Sequence, residues 1–185
     1  MKVIGIAGSL RKHSYNAALL RAAAELAPPE LELEIASLRD IPLYDADLEA
    51  EHGIPEPVRA LKDRIAAADG LVFATPEYNA SIPGVAKNAI DWLSRPASDI
   101  AKVFGGKPLA MLGATPGPGG TIASQTAWLP VFRALGVAVW AGPRMYFSGA
   151  AKLFDDGGAL VDEPTRKRLG EFVAGFARHL GGGQR

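Results

Sequence analysis

There is no cysteine in the 185 residues. That absence removes disulfides, thiolate zinc sites, iron–sulfur clusters and cysteine nucleophiles together, and it suits a reducing compartment. An excess of charge of one sign is also missing: 20 Lys and Arg stand against 20 Asp and Glu, for a formal net charge of zero. A neutral chain has no electrostatic reason to seek a polyanion, so no nucleic-acid partner is expected. Long hydrophobic runs are lacking as well. No stretch approaches the ~20 apolar residues that a membrane span needs. The opening run Met1–Ala7 meets Gly8, Arg11 and Lys12 before it reaches the length of a signal peptide. The expectation is a cytoplasmic protein with no membrane partner. His13, His52 and His179 are scattered without metal spacing. Asp45 and Asp47 resemble the start of a calcium loop, but the glycine and the terminal glutamate are out of place. No metal is expected.

What is present is material for a core. Hydrophobic residues make up 48% and charged residues 22%, a globular balance, and the length fits one domain over 1–185. Val3–Ala7, Leu71–Ala74 and Leu109–Leu112 are unbroken apolar runs, which suit strands buried on both faces of a parallel sheet. Leu31, Leu33 and Ile35 alternate instead with Glu32, Glu34 and Ala36, the pattern of an edge strand with one wetter face. A short fifth strand is expected at Val137–Trp140. Helical spacing links Ala18, Leu19, Ala22 and Leu26, stopped by Pro28 and Pro29. It links Val58, Leu61, Ile65 and Ala68, closed by Gly70, and then Ala86, Ala89, Ile90 and Leu93. A fourth helix runs from Ile122 to Leu135, with a kink expected at Pro130. Leu169, Phe172, Val173, Phe176 and Leu180 make the last, followed by a frayed tail over 181–185. Five βα units with a wet second and a short fifth strand predict an α/β fold: a doubly wound, five-stranded parallel sheet of order 2-1-3-4-5, the flavodoxin-like winding. The acidic stretch Arg39–Pro55 is read as a long loop, either functional or a solvated excursion.

In such a sheet, ligands bind outside the carboxyl ends of the strands, so the loops after strands one, three and four belong together. The first, Gly8 to Asn16, follows a buried strand and opens a helix. Free N–H groups at a helix start favour an anion. Ser9 and Ser14 add hydroxyls, Asn16 an amide and Arg11 a fixed cation. The plainer alternative is a capped helix start with Ser14 as N-cap. The loop is neither a Walker loop nor a GxGxxG fingerprint. The second loop, Thr75 to Gly84, places Tyr78 in a turn-forming sequence, where its flat face could hold a planar ring. Taken alone it reads as a tight turn with Pro83 opening the next helix. The third, Thr115 to Thr121, is rich in glycine, which admits a ligand close to backbone, but equally suits a plain flexible loop. A phosphate at the first loop and a flat ring between the other two would together be flavin mononucleotide.

The motifs carry a resemblance. Gly8-Ser9-Leu10-Arg11-Lys12 with Ser14 and Asn16 resembles the phosphate loop of the NADPH-dependent FMN reductase family. Pro76-Glu77-Tyr78-Asn79, then Ser81, Pro83-Gly84 and Lys87-Asn88-Ala89-Ile90-Asp91-Trp92, resembles that family's second signature. Ile41-Pro42-Leu43-Tyr44-Asp45 is similar too. The likeness runs from the start to about Leu135. The family includes quinone, chromate and azo-dye reductases. The resemblance implies FMN held without a covalent bond, with Ser9, Arg11, Ser14, Tyr15 and Asn16 around its phosphate. It implies Pro76, Glu77, Tyr78 and Asn79 along the ring system, and Thr115, Gly119 and Gly120 toward the ring's other end. The implied reaction passes hydride from NADPH or NADH to the flavin and on to a small acceptor such as a quinone, a free flavin, an azo dye or chromate. The flavin carries that chemistry, so no catalytic side chain is required. No acidic ribose reader or basic 2′-phosphate clamp stands out, so either nicotinamide fits.

A homodimer or homotetramer is expected, built partly from the helices that begin near Gly84 and Thr121. The reason is the apolar load of Trp92, Trp128, Leu129 and Phe132, more than one sheet face need cover. Where many relatives carry a polar, basic stretch, this chain has Ala127-Trp128-Leu129-Pro130. Rival readings are a flavodoxin-type electron carrier, usually far more acidic than this chain, and a flavin-binding regulatory module without turnover. A low-molecular-weight phosphatase needs a cysteine in the first loop. A receiver domain needs acids where Ile6, Ala7 and Gly8 stand.

Overall fold

The apolar runs become strands with a core on each side. β1 (Lys2–Ala7) sits between β2 (Glu32–Ala36) and β3 (Gly70–Ala74), and β4 (Pro108–Ala114) continues the sheet beside β3. All pairings are parallel, and the order is β2-β1-β3-β4-β5, the winding expected from the sequence. Successive side chains on a strand point to opposite faces. Leu71 and Phe73 of β3 therefore join one buried cluster while Val72 and Ala74 join the other. α1 (Tyr15–Glu25) and α7 (Glu163–Leu180) cover one face; α3 (Glu56–Ala67), α4 (Gly84–Leu93), α5 (Ile100–Val103) and α6 (Ile122–Ala134) cover the other. With both faces covered, alternation disappears from the sequence of the central strands. This computed structural model describes residues 1–182, so of the expected tail only Gly181 and Gly182 are included, and 183–185 lie outside the described residues.

Four local departures from the sequence reading have physical reasons. The fifth position of the sheet is shared by two short strands. β5 (Ala138–Val139) pairs with Pro108 and Leu109, and β6 (Met145–Phe147) pairs with Leu112 to Ala114. Between them Pro143 brings no N–H to the ladder; the Trp140 N–H still donates to Leu109 O at 2.8 Å, while its ring packs against Phe172 and Phe176 of α7. Gly70 does not close α3; it opens β3 opposite Val3, and a Cβ there would meet Leu180 Cδ2 at 3.0 Å. Trp92, Trp128 and Phe132 are fully buried within one chain. Their apolar surface is consumed by the sheet's own face, and it gives no reason for a partner; of that group only Leu129 stays substantially exposed.

The fourth departure is α2 (Ala46–His52), which lies inside the stretch expected to be loop. Asp45 caps it by accepting from the Asp47 N–H at 2.9 Å, and Asp47 and Glu49 sit favourably in its first turn. The segment is clamped to α4. Asn88 accepts from Tyr44 N–H and donates to Pro42 O, both at 2.8 Å, and Trp92 Nε1 donates to the same carbonyl at 2.9 Å. The Tyr44 ring meets Trp92 edge-on at 4.9 Å. Glu49 accepts from Arg95 Nε at 2.9 Å and from the Tyr44 hydroxyl at 3.0 Å. The Arg95 guanidinium, with the Tyr44 hydroxyl adding to it, holds the Glu49 carboxyl below the usual carboxylate range.

Removing the side-chain amide should free this segment before it unfolds the protein. Asn88→Ala deletes two hydrogen bonds, each contributing roughly 0.5–1.5 kcal/mol. Limited proteolysis within 39–55 should accelerate severalfold while the sheet's urea transition moves little. Because the folded Glu49 titrates below its ordinary value, its contribution is complete above that value and lost as pH falls through the lowered one. Wild-type cleavage in the same segment should therefore rise as the pH falls below the ordinary glutamate range. A cleavage rate independent of both changes would refute the clamp.

Candidate active site

The loops that follow β1, β3 and β4 lean directly on one another. Gly8 N–H donates to Ala74 O at 2.8 Å, Thr75 N–H to Leu112 O at 3.0 Å, and Thr115 N–H to Phe147 O at 3.0 Å. Each loop thus extends the ladder of its neighbour for one more bond. Gly8 permits this contact, since a Cβ there would lie 3.0 Å from Pro76 Cδ and 3.2 Å from Pro83 Cγ.

The first loop turns into α1 at Ser14, whose Oγ accepts from Ala17 N–H at 3.3 Å. The capped reading is therefore what the structure has, and the cap does not use up the helix start. The N–H groups of Tyr15 and Asn16 open the helix with no carbonyl one turn back to receive them, and the positive end of the helix dipole lies there. Asn16 is buried, and its side chain works on the sheet: it donates to Ala114 O and accepts from Ala114 N–H, both at 2.9 Å. It ties the start of α1 to the end of β4, two elements 98 residues apart. Arg11 is exposed, with its guanidinium over the Tyr15 ring at 5.7 Å. Among the described residues no carboxylate pairs with it. Arg39, which the sequence did not single out, holds the outside of the loop by donating to Leu10 O at 2.7 Å.

The second loop is a tight hairpin. Tyr78 and Ser81 exchange backbone hydrogen bonds at 3.2 and 3.0 Å, and Asn79 and Ala80 between them have φ of 51° and 55°. That is the two-residue turn with both central residues left-handed, easy for Asn and costly for Ala by roughly 1–2 kcal/mol. Pro76 is buried beneath it; Tyr78 projects, 46% exposed. The Tyr78 hydroxyl and Ser9 Oγ share a hydrogen bond of 3.2 Å, which joins the first loop to the second. Glu77 points the other way. Its Oε2 accepts from Ala123 N–H at 2.9 Å and from Ser124 N–H at 3.3 Å, capping α6 from a distant loop. The helix has no side-chain cap of its own at Thr121.

The third loop ends in Gly120 and Thr121, with φ of 58° and 73°. A β-branched residue in that region is strained. Thr121 is held there by full burial and by Gln125 Nε2, which donates to its Oγ1 at 3.0 Å. Thr115 and Gly117 line up with the segment after β6, and Gly119 is exposed beside Glu77. Under both loops lies a buried node that the sequence did not reveal. Thr75 Oγ1 donates to Pro76 O at 2.9 Å, accepts from Trp128 Nε1 at 3.0 Å and lies 2.8 Å from Ser124 Oγ. Thr75 stood at the edge of the motif, but nothing local links it to a tryptophan 53 positions on.

The carboxylate of Glu77 is the part of this site most open to test. Glu77→Ala should uncap α6 at a cost of about 0.5–2 kcal/mol, and should loosen the gap between the second and third loops. Glu77→Gln keeps an acceptor and should recover most of the loss. Urea denaturation of the two variants checks this; equal stability of Glu77→Ala and wild type would refute the cap.

Similarity to known proteins coincides with these loops. The sequence profile of the NADPH-dependent FMN reductases matches residues 1–152, further along the chain than the motifs alone suggested. An NAD(P)H-dependent FMN reductase of Pseudomonas aeruginosa is 45% identical over 169 residues, covering 91% of this chain and 89% of that one. A 2-hydroxy-1,4-benzoquinone reductase of a Burkholderia species is 40% identical over 177 residues, 96% and 94% of the two chains. Among solved structures, the flavoenzyme NAD(P)H:(acceptor) oxidoreductase FerB of Paracoccus denitrificans superimposes with a TM-score of 0.86 at 37% identity, covering 97% of each chain. On the sequence profile, the full-length relatives and the shared fold together, the chain belongs to the NADPH-dependent FMN reductase family.

Proposed function

We propose that this protein is an NAD(P)H-dependent oxidoreductase that holds FMN across the three loops and reduces a small acceptor, with quinones foremost. The observation that carries this reading is the Ser9–Tyr78 hydrogen bond at 3.2 Å. It makes one site of an anion-ready helix start and an exposed aromatic turn. Quinones come first because the Burkholderia relative is a quinone reductase over nearly the whole length of both chains.

The residues suit the group. For a phosphate there are the open N–H groups of Tyr15 and Asn16, the hydroxyls of Ser9 and Ser14, and Arg11, whose fork matches phosphate oxygens with two parallel hydrogen bonds. For a flat ring there are Pro76, the backbone of Glu77 to Asn79, the Tyr78 face and the exposed backbone at Gly119, with Thr115 at the loop's start; Gly120, expected there too, is buried against Tyr146 and serves the turn. When bound, FMN supplies the two-electron carrier between nicotinamide and acceptor. The chain's own residues bind and orient. Glu77 is committed to α6 and Asn16 to Ala114, so both act by holding the loops in place. The whole chain is read as one such unit, working in the cytoplasm, where reduced nicotinamides are replenished.

A homodimer or homotetramer goes with this reading. Its support is now the exposed Ile122 and Leu129, seven residues apart on one side of α6, together with Tyr78 and the 82% exposed Leu43. Light scattering should give a dimer or larger; a stable monomer at micromolar concentration would overturn it.

The purified protein should show a flavin absorbance spectrum that bleaches on addition of NADPH and returns with a quinone. A protein that binds no FMN would sink the proposal. Arg11→Ala should separate ligand from fold. The side chain is exposed and fills no core space, so apo stability should change by only about 0.5 kcal/mol. FMN affinity should fall roughly tenfold to a hundredfold, each factor of ten being ~1.4 kcal/mol. The holoprotein should then lose its ligand-linked rise in Tm while the apoprotein melts as before. Calorimetry with and without FMN checks both; unchanged affinity would remove Arg11 from the phosphate site.

A further inference from the structure

Three buried side chains meet on one hydroxyl beneath the second loop. Thr75, Ser124 and Trp128 expose no surface. A threonine hydroxyl has one proton to give and two lone pairs to fill. That of Thr75 donates to Pro76 O at 2.9 Å and accepts from Trp128 Nε1 at 3.0 Å. Its proton is spent on the carbonyl, so in the 2.8 Å contact with Ser124 Oγ the serine is the donor. The hydroxyl is then saturated, and what it receives from Trp128 and Ser124 bears on the Pro76 carbonyl. The indole is itself fixed, stacked on Phe132 at 5.2 Å and edge-on to Phe73 at 4.9 Å.

The other end of the same peptide is unspent. The bond from Pro76 to Glu77 is trans, so its N–H points opposite to its C=O. With the carbonyl held on Thr75, the Glu77 N–H faces away from the node. Among the described residues no group accepts from it. The next donor along, Tyr78 N–H, is taken by Ser81 O. Little is left to turn this peptide. The proline ring locks φ of residue 76, and the Glu77 carboxylate is tied to the N–H groups of Ala123 and Ser124. Ser124 thus holds the peptide twice, through its hydroxyl by way of Thr75 and through its N–H by way of Glu77.

We propose that Trp128, Ser124 and Thr75 are positioning residues that aim and strengthen the Glu77 N–H as a donor to the flavin ring, and so raise the reduction potential of the bound flavin. This rests on the oxidoreductase reading above. A hydrogen bond received by a carbonyl polarises its peptide and strengthens the N–H at the other end. Reduction adds electron density to the polar edge of the ring, so a fixed donor there holds the reduced form more tightly than the oxidised form. Being fully buried, the three side chains do not meet the ligand themselves.

The test is the midpoint potential of the FMN-loaded protein, read by equilibration against a reference dye. Thr75→Val keeps the branched shape and deletes the hydroxyl. It should lower the affinity for reduced relative to oxidised FMN on the order of tenfold, which is ~30 mV toward more negative potential for a two-electron couple. Trp128→Phe should move the potential the same way by less, since Ser124 still feeds Thr75. Thr75→Ser keeps the hydroxyl and should keep the potential. In the NMR spectrum of the wild-type apoprotein, the Glu77 amide resonance should move when FMN is added. A purely structural node would lower Tm in Thr75→Val and Trp128→Phe and leave the potential where it was; that result overturns the proposal. A shift toward positive potential, or a Glu77 amide indifferent to FMN, overturns it too. If Thr75→Val does not fold, the potential of Trp128→Phe against wild type and Thr75→Ser decides. A wild type that takes up no FMN sinks the oxidoreductase reading and this inference with it, whereas FMN uptake with equal potentials in all variants sinks the inference alone.

Discussion

The close approach of backbones at the carboxyl ends of β1, β3 and β4 is the constraint on which the rest of the site depends. Gly113, next to last in β4, shows how tight it is. A Cβ there would fall 2.2 Å from Thr121 Oγ1 and 2.4 Å from Thr75 O, distances no real side chain tolerates. Because no side chain stands at Gly8 or Gly113, the main chain at each of these strand ends packs directly on its neighbour. Thr75 can then reach both Ser124 and Trp128, and Glu77 can reach the start of α6. The buried hydrogen bonds of this node are worth more than surface ones, since each would leave an unpaired polar group if broken.

The motif residues divide into those that hold the frame and those left free to meet a ligand. Asn16, Glu77, Asn88 and Trp92 are occupied inside the protein, by Ala114, α6, Tyr44 with Pro42, and Pro42 respectively. Lys87 and Asp91 pair with each other at 2.6 Å on the outer side of α4. Arg11 and Tyr78 project from the frame, held among the described residues by a ring contact and a hydrogen bond respectively, with much of their surface open. A spent side chain fixes loop position at the cost of its own availability. A free one can respond to a ligand because nothing else claims it. The two signatures thus describe a scaffold with a small exposed edge, and the clamp of α4 on the segment before α2 extends that scaffold to the rim.

Backbone strain follows the same division. The left-handed Ala80 and Thr121 stand on opposite sides of the gap between the second and third loops. Each costs conformational energy that surrounding bonds must over-determine. Ala80 is fixed by the Tyr78–Ser81 bridge, and Thr121 by its burial and by Gln125. Rigid walls on a gap reduce the ordering that a flat ligand would otherwise impose on binding.

The sequence by itself determined the sheet. The strand-length apolar runs, the wet second strand and the helical spacing between them specify a parallel, doubly wound α/β order, because burial on both faces writes itself into local composition. It also brought the loops after β1, β3 and β4 to one rim, since in such a sheet successive strand ends must share an edge. Only the tertiary structure decided what the loop residues do. Whether Asn16 meets a ligand or Ala114 depends on a neighbour 98 positions away. The cap on α6, the Thr75 node and the packing of Trp140 on α7 are likewise contacts between segments far apart in the chain. Hydrophobic period is a property of one segment and can be read along it. Hydrogen-bond partnership is a property of two, and it exists only once the fold has brought them together.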